Sequence, residues 1–152
     1  MNGMNPREIL EAAHTILVID WPSRDVPESL ARAGFEVVVQ GGPGPEDYSV
    51  YEIMNGEIVV RRSGRLPERA DLIYAYRPLS ELPSIVAMAQ KIGAKTIWLQ
   101  SGFSPVGAKD PAGCWLRDED SRNAQKLLEA AGINFVSQPF IAEVARQLRA
   151  TA

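Results

Sequence analysis

The sequence predicts an α/β domain built on a doubly wound parallel sheet of about five strands, and three patterns support this. Short apolar runs alternate along the chain with segments of helical length, which is typical of strands joined by helical crossovers. The apolar runs are nearly continuous, as expected for parallel strands buried on both faces. Three of the helical segments are followed by a glycine, the residue that best tolerates the left-handed backbone beyond a helix end.

The first part of the chain supplies two of the predicted strands. A helix is predicted over residues 6–13, with a proline in its first turn. The run TILVID at residues 15–20 is predicted to be the first strand. A short helix over residues 26–33 then leads into the second strand, FEVVVQ at residues 35–40.

A β-hairpin insertion is predicted after the second strand, at about residues 48–63. Two β-rich runs flank Asn55-Gly56, a dipeptide that accepts the positive φ angles of a type I′ turn. Four arginines lie at the end of the hairpin and just beyond it: Arg61, Arg62, Arg65 and Arg69. Such charges guard an edge strand against unwanted pairing. The alternative is a surface for an anion or a protein partner.

The remaining elements continue the alternation. Strands are predicted over residues 71–77, 95–100 and 133–137, and helices over residues 80–92, 119–131 and 141–148. Because 152 residues correspond to one domain of ordinary size, we expect a single domain over residues 1–152.

Composition and charge limit the classes of function that the protein is expected to have. The chain is 45% hydrophobic and 23% charged, as in ordinary globular proteins. Its apolar runs are far shorter than the ~20 residues of a membrane span, and the first residues lack the apolar region of a secretory signal. We therefore expect a cytoplasmic protein without membrane contact. A formal net charge of −3 argues against nucleic acid as a partner.

Catalytic and metal-binding patterns are weak in this sequence. The single histidine, His14, precedes the first strand and so belongs to the edge of the sheet opposite the expected ligand edge. The single cysteine, Cys114, is followed by acidic residues that disfavour a thiolate. One histidine and one cysteine cannot build the usual zinc site. We expect a protein that is not an enzyme.

In a doubly wound sheet, ligands bind beyond the carboxyl ends of the strands. The loop after the first strand contains no glycine, which argues against a dinucleotide site built in the usual way. Within it, Ser23 and Arg24 favour an anion, Asp25 and Glu28 predict a capping box, and Trp21 is a candidate for stacking on adenine.

Other candidates follow the next three strands. Gly41 and Gly42 offer bare backbone to an adenosine group, or form only a tight turn. Tyr76, Arg77 and Pro78 suit stacking on a base and pairing with a phosphate, although the arginine could instead cap a neighbouring carboxylate. After the fourth strand, the amide of Gln100 faces the same edge and could equally serve loop hydrogen bonds.

Several segments of the sequence resemble the bacterial CoA-binding domain family. They are LPSIVAMAQKIGAKTIWLQSG, the GFEVVV strand and the hairpin around Asn55-Gly56. The members of this family are small, single-domain, Rossmann-like relatives of the CoA-binding domain of succinyl-CoA synthetase. The resemblance extends from about Ile9 to the final helix.

The resemblance implies a ligand position. In the family the phosphates meet a Gly-x-Ser loop after the first strand, and the adenosine end meets residues after the second and third strands. Carried over by position, this implicates Ser23, Arg24, Gln40, Gly41, Gly42, Tyr76, Arg77 and Pro78, with Gln100 nearby. Asp20-Trp21 stands where the family has its glycine. We expect a non-catalytic module that binds CoA or an acyl-CoA, or alternatively an interaction module that kept the fold and lost or changed the ligand.

Overall fold

Seven strands form one sheet in the computed structural model of the chain, which describes residues 5–21, 24–41, 47–104, 106–110, 113, 115–138 and 140–151. The strands are β1 (Thr15–Ile19), β2 (Glu36–Gln40), β3 (Tyr48–Met54), β4 (Glu57–Arg62), β5 (Leu72–Ala75), β6 (Thr96–Leu99) and β7 (Asn134–Val136). The helices are α1 (Pro6–Ala12), α2 (Asp25–Arg32), α3 (Leu82–Ile92), α4 (Asp118–Ala130) and α5 (Ile141–Thr151), with a short 3-10 helix at Leu79–Glu81.

The strands lie in the order β4-β3-β2-β1-β5-β6-β7. The five strands from β2 to β7 in this order run parallel, which confirms the predicted doubly wound, Rossmann-like fold. The predicted hairpin joins the same sheet, because β3 pairs antiparallel with β2 and β4 pairs antiparallel with β3. At its turn Asn55 and Gly56 have φ angles of 54° and 81°, as the type I′ prediction requires.

Helices cover both faces of the sheet. One apolar cluster joins α1, α2 and α5 to the face that carries Ile16 and Val18, and a second joins α3 and α4 to the face that carries Leu17 and Ile19. All five residues of β1 are buried. A strand that packs helices on both sides has no solvent-facing position, and this explains the continuous apolar run in the sequence.

No helix within the described residues is long and apolar enough to cross a membrane.

One carboxylate ties β1 to β5 at the amino edge of the sheet. Oδ2 of Asp71 accepts hydrogen bonds from the backbone N–H groups of His14 (2.8 Å) and Thr15 (2.9 Å). The backbone N–H of Asp71 donates in return to the carbonyl of Thr15 at 2.9 Å. The start of the central strand is therefore held by a side chain that comes far later in the chain.

We predict that Asp71→Ala lowers the free energy of unfolding by about 1–3 kcal/mol, because two backbone donors lose a charged acceptor. Urea denaturation followed by circular dichroism measures the change. Glu68→Ala is the matched control, since Glu68 is an exposed acid in the same connecting segment. Equal midpoints for the two variants would contradict a role for the Asp71 carboxylate.

Candidate functional site

The chain turns to opposite sides of the sheet after β1 and β5, which are adjacent parallel strands. In folds of this kind such a switch point opens a crevice beyond the carboxyl ends of the strands. Asp20 follows β1 directly, Arg77 follows β5 by two residues, and Gln40 ends the neighbouring strand β2. These three residues place polar side chains at one edge.

Asp20 adopts a left-handed backbone, with a φ of 64°. Its backbone N–H donates to the carbonyl of Gln40 at 2.9 Å, which fixes the turn beyond β1 against the end of β2. Aspartate is one of the few side-chain-bearing residues that enter this region at modest cost. The turn thus has a backbone that glycine adopts readily, while the side chain brings a carboxylate to the switch point.

Arg77 forms ion pairs with two carboxylates, those of Asp20 and Glu81. Its Nε donates to Oε1 of Glu81 at 3.0 Å. The hydrogen bonds that Arg77 donates to Glu81 and, to a smaller extent, to Asp20 raise the pKa of Arg77. The hydrogen bond that Glu81 accepts from Arg77 lowers the pKa of Glu81 below its ordinary value. The alternative interpretation of Arg77, a cation that caps neighbouring carboxylates, is therefore the arrangement present in this structure.

Two pockets flank Arg77, which lines both. The first, about 410 Å³, lies between the segments that follow β5 and β6 and the start of α4. Its wall is mainly apolar and includes Leu99, Phe103, Trp115 and Leu116. The second pocket, about 310 Å³, lies beside β1, β2 and α3 and is more polar. It is lined by Ile19, Asp20, Gln40, Arg77, Glu81, Ser84, Ile85 and Met88.

Aromatic side chains fill the carboxyl edge on the α2 and α5 face. Trp21 is buried, with its ring 5.0 Å from that of Tyr76 and 5.6 Å from that of Phe140. Its indole N–H donates to Oδ1 of Asp25 at 2.6 Å, which meets the need of a buried indole for an acceptor. Trp21 therefore packs in the core and does not border the two pockets.

The predicted capping box at Asp25 and Glu28 is wrong. The N-cap of α2 is Arg24, whose side chain makes no capping hydrogen bond. Asp25 instead accepts from the indole of Trp21, and Glu28 pairs with Arg24 at 3.0 Å. The guanidinium of Arg24 also lies 5.5 Å from the ring centre of Tyr51 on β3.

Gln100 is completely buried. Its Oε1 accepts from the hydroxyl of Tyr74 at 3.2 Å, and its Nε2 donates to the carbonyl of Gly113. The amide therefore holds the loop beyond β6 in place by hydrogen bonds. This loop forms part of the wall of the larger pocket. These hydrogen bonds agree with the loop interpretation of Gln100.

The structure gathers some of the predicted site residues and separates others. Gln40, Arg77 and Pro78 line the pockets at the carboxyl edge. Gly41 follows Gln40 and donates its N–H to the carbonyl of Asp47 at 3.0 Å.

The other predicted residues lie away from the two pockets or outside the described residues. The ring of Tyr76 packs against Trp21, and Arg24 contacts Tyr51 and Glu28. Ser23 and Gly42 lie outside the described residues. The ligand contacts of all nine residues stay predictions.

Sequence reasoning left open that Arg77 caps a carboxylate, but it did not identify Asp20 and Glu81 as the partners, nor Phe103 and Leu116 as part of the apolar wall of the larger pocket. Glu81 lies four positions after Arg77, a spacing that permits an ion pair at the start of a helix and that could have indicated it. Nothing local marks Phe103 or Leu116 as pocket residues. Within the described residues, no group of three or more histidine, cysteine or acidic side chains could hold a metal ion.

Comparison with known proteins places the chain in a family. The sequence matches the CoA binding domain over residues 19–143, most of its length, and the chain belongs to this family. No curated protein matches the sequence.

Several solved structures share the fold of this chain. A Thermus thermophilus protein, cell-free ID.343, is 26% identical, with a TM-score of 0.56 over 97% of this chain and 99% of its own. A hypothetical protein from Pyrococcus horikoshii OT3 is 20% identical, with a TM-score of 0.57 over 98% of this chain and 99% of its own. Prb, a protein redesigned for binding, is 19% identical, with a TM-score of 0.60 over 98% of this chain and 95% of its own. The last two show the fold alone.

We predict that Asp20→Ala is less stable than Asp20→Gly by about 1 kcal/mol, because both remove the carboxylate but only alanine keeps a Cβ in left-handed backbone. Chemical denaturation of the two variants measures the difference. Equal stability would contradict the left-handed turn at residue 20.

A second prediction concerns pH. The Arg77 guanidinium holds the pKa of Glu81 below 4.5, so this ion pair is fully formed above pH 4.5 and is lost only as the pH falls through the lowered pKa. In Arg77→Met we expect the pKa of Glu81 to rise toward 4.5. NMR titration of the side-chain carboxyl group measures it, with the exposed Glu57 as the internal control. A Glu81 pKa that is identical in both proteins would contradict the pairing.

Proposed function

We propose that the protein is a non-catalytic nucleotide-binding module that takes CoA or an acyl-CoA at the carboxyl edge of its sheet. The observation that carries this proposal is the match to the CoA binding domain over residues 19–143. The proposed position is the α3 and α4 face of the edge, because aromatic side chains fill the opposite face. The two pockets there share Arg77.

The sizes and linings of the pockets fit the two chemical halves of such a ligand. Both volumes, about 410 and 310 Å³, fall in the range of ~300–1,000 Å³ common for small-molecule sites. The apolar pocket suits the pantetheine arm or an acyl chain. The polar pocket, with the amide of Gln40 and the hydroxyl of Ser84, suits hydrogen bonds to the nucleotide. Each pocket alone is too small to hold the whole ligand.

The charged groups at the switch point affect how a phosphate group can bind there. Arg77 is the cation shared by both pockets, and it already faces two carboxylates. A phosphate must therefore compete with Asp20 and Glu81 for the guanidinium. The side chain of Arg77 is 33% exposed and can turn toward a ligand. We infer a modest affinity that falls with rising salt, because the pairing is partly solvated.

The titratable groups around Arg77 suit binding better than proton transfer. Arginine stays protonated in proteins and cannot act as a base. Glu81 is held ionised by its ion pair, and the lowered pKa of its carboxyl group makes it a weaker base than an ordinary glutamate. These properties support the non-catalytic part of the proposal.

The alternative, an interaction module with a changed or lost ligand, is favoured by one observation. Asp20 places a negative charge where the family is expected to receive phosphate, and Trp21 fills the space beside it. Under this alternative the protein binds a different ligand or none, and its function is to bind a specific protein partner.

Calorimetric titration with CoA, acetyl-CoA, ATP and NAD tests the proposal. We expect saturable binding of CoA or acetyl-CoA, and binding about 10–100-fold weaker in Arg77→Gln, from the loss of a charged hydrogen bond. Arg7→Gln is the matched control, because it breaks an exposed ion pair at the same i,i+4 spacing on α1. No heat and no thermal shift with any of the four ligands at millimolar concentration would overturn the proposal.

A further inference from the structure

The outer edge of β4 has no strand beside it among the described residues, since β4 is the last strand of the sheet. Apolar side chains there are well exposed: Val59 and Val60 each retain 40% of their accessible surface, and Ile53 on the adjoining strand retains 39%. An edge strand with a free backbone and exposed apolar residues is a template for pairing with another strand.

The hydrogen bonds between β4 and β3 show which residues of β4 have backbone N–H and C=O groups that point away from the sheet. Ser63, one position past the strand, donates its N–H to the carbonyl of Tyr48 on β3 at 2.9 Å. In an antiparallel pair, hydrogen-bonded residues alternate along the strand. Counting back from Ser63, the odd-numbered residues bond to β3. Ile58 and Val60 therefore direct their N–H and C=O groups away from the sheet.

The sequence of this strand is complementary to itself. Residues 57–61 read Glu-Ile-Val-Val-Arg. In an antiparallel pair centred on Val59, Glu57 lies opposite Arg61 of the second copy and Ile58 lies opposite Val60. Opposite charges and β-branched residues in such positions stabilise a sheet.

We propose that a second copy of this chain pairs its β4 with the β4 of the first, across a two-fold axis at Val59, so that one sheet continues through both protomers. Each Ile58 exchanges two backbone hydrogen bonds with a Val60, which satisfies the outward N–H and C=O groups identified above. The two valines at position 59 meet at the axis. This proposal does not depend on the ligand at the carboxyl edge.

The charges at the edge favour this partner and this register. Glu57 has no ion pair among the described residues, so its carboxylate is available to Arg61 of the second copy. Arg61 already bonds to Glu52 on the adjoining strand at 2.9 Å and would then bridge two carboxylates. A pair centred on Val60 instead would place Arg61 opposite Val59 and would lose both ion pairs.

A contact made mainly by one strand from each protomer is small, and the net charge of −3 on each protomer opposes it at low salt. We therefore expect a reversible dimer with a Kd on the order of 10–100 µM. Sedimentation velocity above and below this concentration measures it.

Two charge variants test the register. In Glu57→Arg, two arginines face each other at each end of the contact, and in Arg61→Glu, two glutamates do. We expect each variant alone to be monomeric at concentrations where the natural protein is a dimer. An equimolar mixture is expected to restore the dimer, because the arginine introduced at position 57 of one variant then faces the glutamate introduced at position 61 of the other.

Arg62→Glu is the control. It makes the same change of charge one residue further along the strand, at a position where the second copy has no charged residue opposite. Circular dichroism verifies that each variant is folded. The proposal is overturned if the natural protein stays monomeric at all the concentrations measured. It is also overturned if both charge variants still form the dimer, or if the mixture of the two variants fails to associate.

Discussion

The carboxyl edge of this protein is organised around the positive charge of Arg77. This side chain lies at the switch point between β1 and β5, lines both pockets and pairs with a carboxylate from each side. Because two acids share one cation, the cluster carries a net charge near −1. Under the proposed function, an anionic ligand at this edge would change that balance, and its affinity would depend on how readily Arg77 exchanges partners.

The loop after β1 determines which part of the edge is open. Trp21 turns inward and brings Tyr76 and Phe140 into one aromatic group, so the face covered by α2 and α5 is filled. On the other face, the buried amide of Gln100 holds the loop whose residues line the apolar pocket. The same strand ends thus serve two purposes: core packing on one side and an open crevice on the other.

The strands and helices could be predicted from the sequence because their signals are local. The continuous apolar run at residues 15–20 identified a central strand, and Asn55-Gly56 identified the hairpin. The pairing of the site residues could not be predicted in this way. Arg77 and Asp20 are 57 positions apart, and their contact exists only because β1 and β5 are neighbours in the sheet. The interior position of Trp21 likewise depends on aromatic partners from two distant segments, with Tyr76 directly after β5 and Phe140 directly before α5.

The left-handed turn at residue 20 also bears on how this branch of the family can change over time. Codons for aspartate and glycine differ at a single base, and the chain already holds the backbone that glycine favours there. A change to glycine would therefore require no rearrangement of the strands around it. A single base change can therefore add or remove one of the two carboxylates that pair with Arg77 while the fold is kept.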